Sequence, residues 1–184
     1  KQTMLPELAY NQNVFIEITN LNHGGQGWEL GACLWSPVHN RGGAQAWQLM
    51  GEINQGDIII HLVKINNHYN WYGISIANSN LMQSANRPPL AGNWKNMEPY
   101  QRVNLTNFNR LNEPIPIVNF FNEYENQLKD ILNQSNFGLF YVFYGQERQL
   151  RVSQRYVARC PEQLYSLFNL YSRVIRFNPI FGDN

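Results

Sequence analysis

The sequence is short of charge, of cysteine and of long apolar runs. Only 15% of its 184 residues are charged and the formal net charge is +1. A chain so near neutrality is not a generic polyanion binder, so any nucleic-acid site has to be a local patch that draws on shape and stacking. The two cysteines, Cys33 and Cys160, stand far apart with no CxxC or histidine spacing around them. That argues against a disulfide framework and a zinc site; neither metal nor cofactor is expected, and both thiols read as small buried hydrophobes. No apolar run reaches the length of a membrane span, and Lys1-Gln2-Thr3-Met4 carries no signal-peptide stretch, so a cytoplasmic protein with no membrane partner is expected.

Catalytic signatures are missing as well. His23, His39, His61 and His68 form no metalloprotease, deaminase or nuclease pattern, and Gly24-Gly25-Gln26-Gly27 lacks the Lys-Ser/Thr of a P-loop. His61 and Asp57 share one face of a predicted strand and could form an acid/base pair. A buried histidine beside a turn aspartate is the favoured reading. No catalytic residue is assigned, and the chain is expected to do no chemistry itself.

What the chain has is apolar mass, 43% hydrophobic with 5 Trp and 10 Tyr, enough for the core of one domain over residues 1–184. Strands are predicted over 14–19, 30–35, 58–63, 71–77 and 100–108, with Asn66-Asn67-His68 as a hairpin break. The run Ile58–Val63 is apolar on both faces and reads as central. In the strand over 71–77, Gly73 and Ser75 share one face, which marks either a ligand or backbone coming close or else a bulge or tight core contact. A short helix is predicted over 44–53, a long amphipathic one over 117–134, an aromatic strand over 137–144 and a last helix after Pro161. Pro114 and Pro116 are expected to stop the sheet. If 151–159 is helical, Arg151, Arg155 and Arg159 share a face, with Arg148 nearby.

The order of landmarks carries a resemblance. Gly31-Ala32-Cys33-Leu34-Trp35-Ser36-Pro37 precedes a helix ending near Ile53; Gly56-Asp57 opens a hydrophobic strand; Trp71-Tyr72-Gly73, a loop Trp94 and Tyr100-Gln101-Arg102 follow. This pattern, over roughly residues 14–117, resembles the YTH and EVE branches of the PUA-like superfamily. The resemblance implies an α+β fold: a mixed, partly closed β-barrel flanked by helices, with a core over about 12–117 and a C-terminal helical and strand extension over about 117–178. That extension resembles those of bacterial modification-dependent (type IV) restriction proteins, which implies a fused or associated nuclease domain. The implied function is reading a modified base, methylated or hydroxymethylated cytosine or N6-methyladenine, in double-stranded DNA. An RNA-binding YTH- or ASCH-like module and a PUA-like nucleotide hydrolase remain as alternatives.

Such a reader extrudes the base and replaces its lost stacking with aromatic rings. Trp35 and Trp94 are the expected walls, and Trp71 or Tyr72 could complete the cage. Ser36 is the leading contact to the base edge, with Asn20, Asn22 and Ser75 behind it. Backbone contacts are expected from Arg41, Gly42, Gly43, Arg87, Lys95, Arg102 and Arg110.

Overall fold

A computed structural model describes residues 5–43, 47–145, 149–174 and 179–181. Its centre is a parallel pair, β1 (Val14–Asn20) and β3 (Ile58–Ile65), in unbroken register from Val14 opposite Ile58 to Asn20 opposite Lys64. Between them in sequence lies β2 (Cys33–Pro37), then a 3-10 turn over Gln48–Glu52. β4 (His68–Ala77) returns antiparallel to β3. Asn66 and Asn67, at φ 50° and 70°, supply the left-handed pair that a tight hairpin between right-twisted strands requires.

After the short β5 (Met82–Ser84) comes β6 (Tyr100–Pro116), 17 residues long, which curls the sheet. Its first part pairs with β2 and β5, its later part with β4. Between these parts, Ile74 faces Asn109 and Ile76 faces Thr106, so β6 spends an extra residue near Asn107, whose φ is 52°. Such a bulge bends the strand and sharpens its twist. The chain then forms α1 (Ile117–Glu123), α2 (Glu125–Gln134), the hairpin β7 (Tyr141–Tyr144) and β8 (Gln149–Val152), then β9 (Val157–Arg159), α3 (Glu162–Val174) and β10 (Pro179–Phe181). The main sheet runs β10-β6-β4-β3-β1-β9, with β2 and β5 on the far end of β6. The result is a curled half-barrel with helices on its outer face, as the sequence resemblance implies. Among the described residues no helix is long and apolar enough to cross a membrane.

Strand alternation splits the core. Ile16, Ile18, Ile60, Leu62 and Trp71 face the helices, where Phe168 lies 5.0 Å from Trp71 and stacks on Phe120 at 4.3 Å. Phe15 and Ile59 point the other way, into the barrel, against Leu34, Met50, Ile53 and Val103. The thiols of Cys33 and Cys160 are buried and free, and burial pushes Cys33 up to about 12.

Several elements differ from expectation. The helix over 117–134 is two helices, broken at Tyr124 (φ −121°), whose buried ring packs against Phe120 and Tyr171. The helix over 44–53 is reduced to the 3-10 turn because Trp47, at φ 55°, interrupts helical geometry just before Gln48; residues 44–46 lie outside the described residues. The aromatic strand narrows to β7. Pro114 and Pro116 do not stop β6; they occupy its irregular end, where the β4 register jumps between Trp71 opposite Ile115 and Gly73 opposite Arg110. Residues 151–159 are not helical but belong to β8, a connection and β9. Their arginines therefore diverge: Arg151 lies over the Tyr144 ring, Arg155 over Gly138, and Arg159 pairs with Glu52. Arg148 lies outside the described residues.

Gly73 answers the question its face raised. A Cβ there would collide with the carbonyl oxygen of Asn109 on β6, so what comes close is backbone. Backbone cannot yield as a side-chain tip can, so Gly73→Ala should cost about 1–3 kcal/mol. Urea unfolding checks this: the midpoint should fall without a change of slope.

Candidate nucleic-acid interface

At the C-terminal end of β1 the half-barrel opens into a cavity of about 400 Å³, within the roughly 300–1,000 Å³ of small-ligand clefts. Aromatic rings dominate its lining. Trp47 and Trp94, both half-buried, meet edge to face at 5.0 Å and 85°. Trp94 is anchored because Tyr100, fully buried, donates its hydroxyl to the Trp94 carbonyl at 2.5 Å.

Trp35 lies deeper, with 1% exposure. The edges of Trp28 and Tyr100 enclose it, and the His23 imidazole lies flat on its face, 4.2 Å away at 13°. The loop can fold back this far because Gly24 (φ 91°) carries no Cβ; one would strike the Trp28 carbonyl and approach the Trp35 indole nitrogen at 2.7 Å. Burial holds the His23 pKa below 6.5, partly offset by Glu17 and by a hydrogen bond to the Trp35 backbone. Among the described residues His23 Nε2 has no hydrogen-bond partner, nor does Trp35 Nε1. One stacked pair therefore holds a buried acceptor and a buried donor, each unsatisfied at a cost of about 1–3 kcal/mol.

Beneath the cavity runs a chain of polar groups. Glu17 on β1 accepts from His61 Nδ1 at 2.7 Å, and His61 Nε2 meets the Ser75 hydroxyl at 2.6 Å. Tyr156 donates its hydroxyl to the other Glu17 oxygen at 2.7 Å and accepts the Trp35 backbone N–H at 3.1 Å. Ser, His and Glu in this order resemble a hydrolytic triad, but Ser75 and His61 are 0% exposed and Glu17 1%. No substrate carbonyl reaches Ser75, so the chain is a scaffold for β2 and Trp35. His61 does not pair with Asp57, which instead accepts the backbone N–H groups of Asn13 and Asn54.

Of the residues singled out in the sequence, Trp35, Ser36, Trp94 and Asn20 line the cavity. Trp35 stands behind His23 rather than as a bare wall. The Ser36 hydroxyl is already engaged, donating to the Pro37 carbonyl and accepting from Gln101. Trp71, Tyr72, Ser75 and Asn22 are not among the lining residues. Trp71 packs in the helix-side core, Tyr72 stacks at 6.5 Å on Phe108, Ser75 is bound to His61, and exposed Asn22 gives its backbone N–H to Asn20.

None of the expected backbone contacts lines the cavity. Arg41 donates to the Asn93 carbonyl, Gly42 to the Asn40 side chain and Gly43 to the Asn40 carbonyl. Arg87 bonds Asn96 and faces Glu98 at 3.7 Å, while Arg102 bonds Asn104 and lies 4.4 Å over Trp28. Lys95 is exposed beside Trp94, and Arg110 is exposed on β6 opposite Gly73.

Sequence reasoning missed His23, Trp47, Arg155 and Tyr156. A histidine in a glycine-rich loop just after a strand was a usable signal for His23. Trp47 fell within the segment predicted as a short helix over 44–53, with nothing local to mark it as a ring of the cavity. Tyr156 had no local signal, since its partner Glu17 is 139 residues away.

No protein-family model matches the chain, and no curated protein sequence is similar to it. Solved structures are. Human THYN1, in complex with DNA containing 5-methylcytosine, matches with a TM-score of 0.54 at 9% identity, covering 87% of this chain and 97% of that one. A hypothetical protein from Leishmania major matches with a TM-score of 0.51 at 10% identity, covering 92% and 99%. The fold is PUA-like. Within this PUA-like chain the segment after residue 117 is woven into the sheet, since β9 pairs with β1 and β10 with β6.

Two outcomes follow from the polar groups. Tyr156→Phe leaves one Glu17 oxygen and the Trp35 N–H short of a partner, and should cost about 1–3 kcal/mol in denaturant unfolding. For His23, the unfolded state takes up a proton first as pH falls, so its contribution to stability is whole above 6.5 and lost below it. Unfolding measured at pH 7.5 and 5.5 should show a loss in the wild type that is smaller in His23→Gln.

Proposed function

We propose that this chain reads a modified base in DNA, holding it extruded in the cavity beside Trp47, Trp94 and the His23–Trp35 stack. The observation that carries the reading is the cavity's lining: three tryptophans and an imidazole with no carboxylate among them. Ring faces replace the stacking that a base loses on leaving a duplex, at about 1–3 kcal/mol per base. A base with an exocyclic amine and a ring nitrogen, which cytosine and adenine have, needs both an acceptor and a donor from the protein. The Asn20 amide adds a donor and an acceptor at the rim.

Among modified bases 5-methylcytosine comes first, because the THYN1 structure of the same fold is a complex with DNA containing it. A methyl group adds only about 1–3 kcal/mol of discrimination by fit. The edge contacts therefore choose the base and the rings sense the methyl. The chain acts as a binding module, and the buried Glu17–His61–Ser75 series supports its wall. Service as the specificity part of a modification-dependent restriction system, with a nuclease fused or associated, rests on the sequence resemblance alone.

The test is binding of matched duplexes carrying cytosine, 5-methylcytosine, 5-hydroxymethylcytosine or N6-methyladenine, with a single-stranded RNA as comparison. The 5-methylcytosine duplex should bind most tightly. Trp47→Ala and Trp94→Ala should each weaken it by about 5- to 150-fold, the equivalent of one lost stacking contact. Equal binding to all duplexes, unchanged by either substitution, overturns the reading; preference for the RNA replaces it with the RNA-module alternative.

A further inference from the structure

A second and larger depression, about 1180 Å³, lies at the same end of the sheet. Its floor is the β3–β4 hairpin from Lys64 to Asn70, and its walls are the end of β6, the start of α1 and strand β8. The linings of the two spaces meet in two places. Tyr69 lines both, and the chain passes from Val152 in the groove straight to Ser153 in the cavity. A row of paired residues, Asn20–Lys64–Tyr69 across β1, β3 and β4, marks the boundary.

The groove's chemistry is one-sided. Lys64 and Arg151 supply cations, and Asn66, Asn67 and Asn70 supply amides; among the described residues no carboxylate lines it. Both cations are held by aromatic faces. Lys64 Nζ lies 5.5 Å over the Tyr69 ring and the Arg151 guanidinium 4.5 Å over the Tyr144 ring. Neither makes an ion pair among the described residues. Tyr144 is 59% exposed, a flat ring at the groove's edge of the kind that accepts a stacked base. In a chain of net charge +1, these two cations have no ion-pair partner among the described residues, unlike Arg87, which faces Glu98, and both differ from Arg102, which bonds Asn104.

We propose that the groove carries the DNA strand that flanks the extruded base, with Lys64 and Arg151 on its phosphates. This rests on the base-reading proposal for the adjoining cavity. The shared lining at Tyr69 places the groove beside that cavity, and the cations and amides of its described lining complement a phosphate backbone. It moves the phosphate contacts from the rim formed by Arg41, Arg87 and Lys95 to the hairpin tip and β8.

The measurement is the salt dependence of binding to unmodified and 5-methylcytosine duplexes, for the wild type, Lys64→Gln, Arg151→Gln and the double variant, with Arg87→Gln as control. Both residues are exposed, and far-ultraviolet circular dichroism checks that each variant is folded. Each lost phosphate contact should reduce the slope of log K against log salt by about 0.9. The double variant should lose about 1.8 while the ratio between the two duplexes holds, and Arg87→Gln should match the wild type. Wild-type slopes in the groove variants, with modified-base preference intact, overturn the groove and leave the cavity reading standing. Reduced slopes with no preference between duplexes leave the groove as a nucleic-acid path and overturn the reading of the cavity. Absence of binding to any duplex overturns both.

Discussion

Glu17 is the group around which this molecule has to be built. A carboxyl group 1% exposed in the middle of a sheet has lost its water, and the cost is recovered only if both oxygens find donors. His61 supplies one and Tyr156 the other. These partners fix geometry over a long range. His61 sits directly opposite Glu17 in the parallel β1–β3 pair, so a slip of one residue would break the bond. Tyr156 comes from the connection before β9, and its hydroxyl also holds the Trp35 backbone. One buried carboxyl group thus ties together β1, β2, β3, β4 through Ser75, and the approach to β9.

The cavity inherits its rigidity from that network. Trp35 is positioned from below by Tyr156, from the side by Tyr100 and Trp28, and from above by His23. The outer rings, Trp47 and Trp94, hang on short 3-10 turns and stay half-buried. A fixed inner wall with more accessible outer rings suits a pocket that must stay shaped when empty and admit a flat guest.

Much of the frame was legible. Apolar runs mark β1 and β3, Asn66-Asn67 marks the hairpin, and the period of Leu164, Leu167, Phe168 and Tyr171 marks α3, because each signal is local. The pairing of β9 with β1 and the bend in β6 were hidden, since strand partners and bulges depend on residues far apart in sequence. Trp35, Ser36, Asn20 and Trp94, singled out through the resemblance, line the candidate cavity. His23 and Tyr156 were not, because their roles come from tertiary contact. The expected arginines lie away from the cavity for a related reason: composition shows how many charges there are, and only the fold shows where they sit and which ones the protein has engaged.

The most direct measurement places 2-aminopurine next to the 5-methylcytosine in a duplex and follows its fluorescence as the protein is added. Extrusion of the neighbouring base unstacks the probe, so fluorescence should rise with binding to the modified duplex and rise far less with the unmodified one. A modified duplex that binds fully while the probe stays quenched would mean that the base never leaves the helix, and the cavity would not be its receptor.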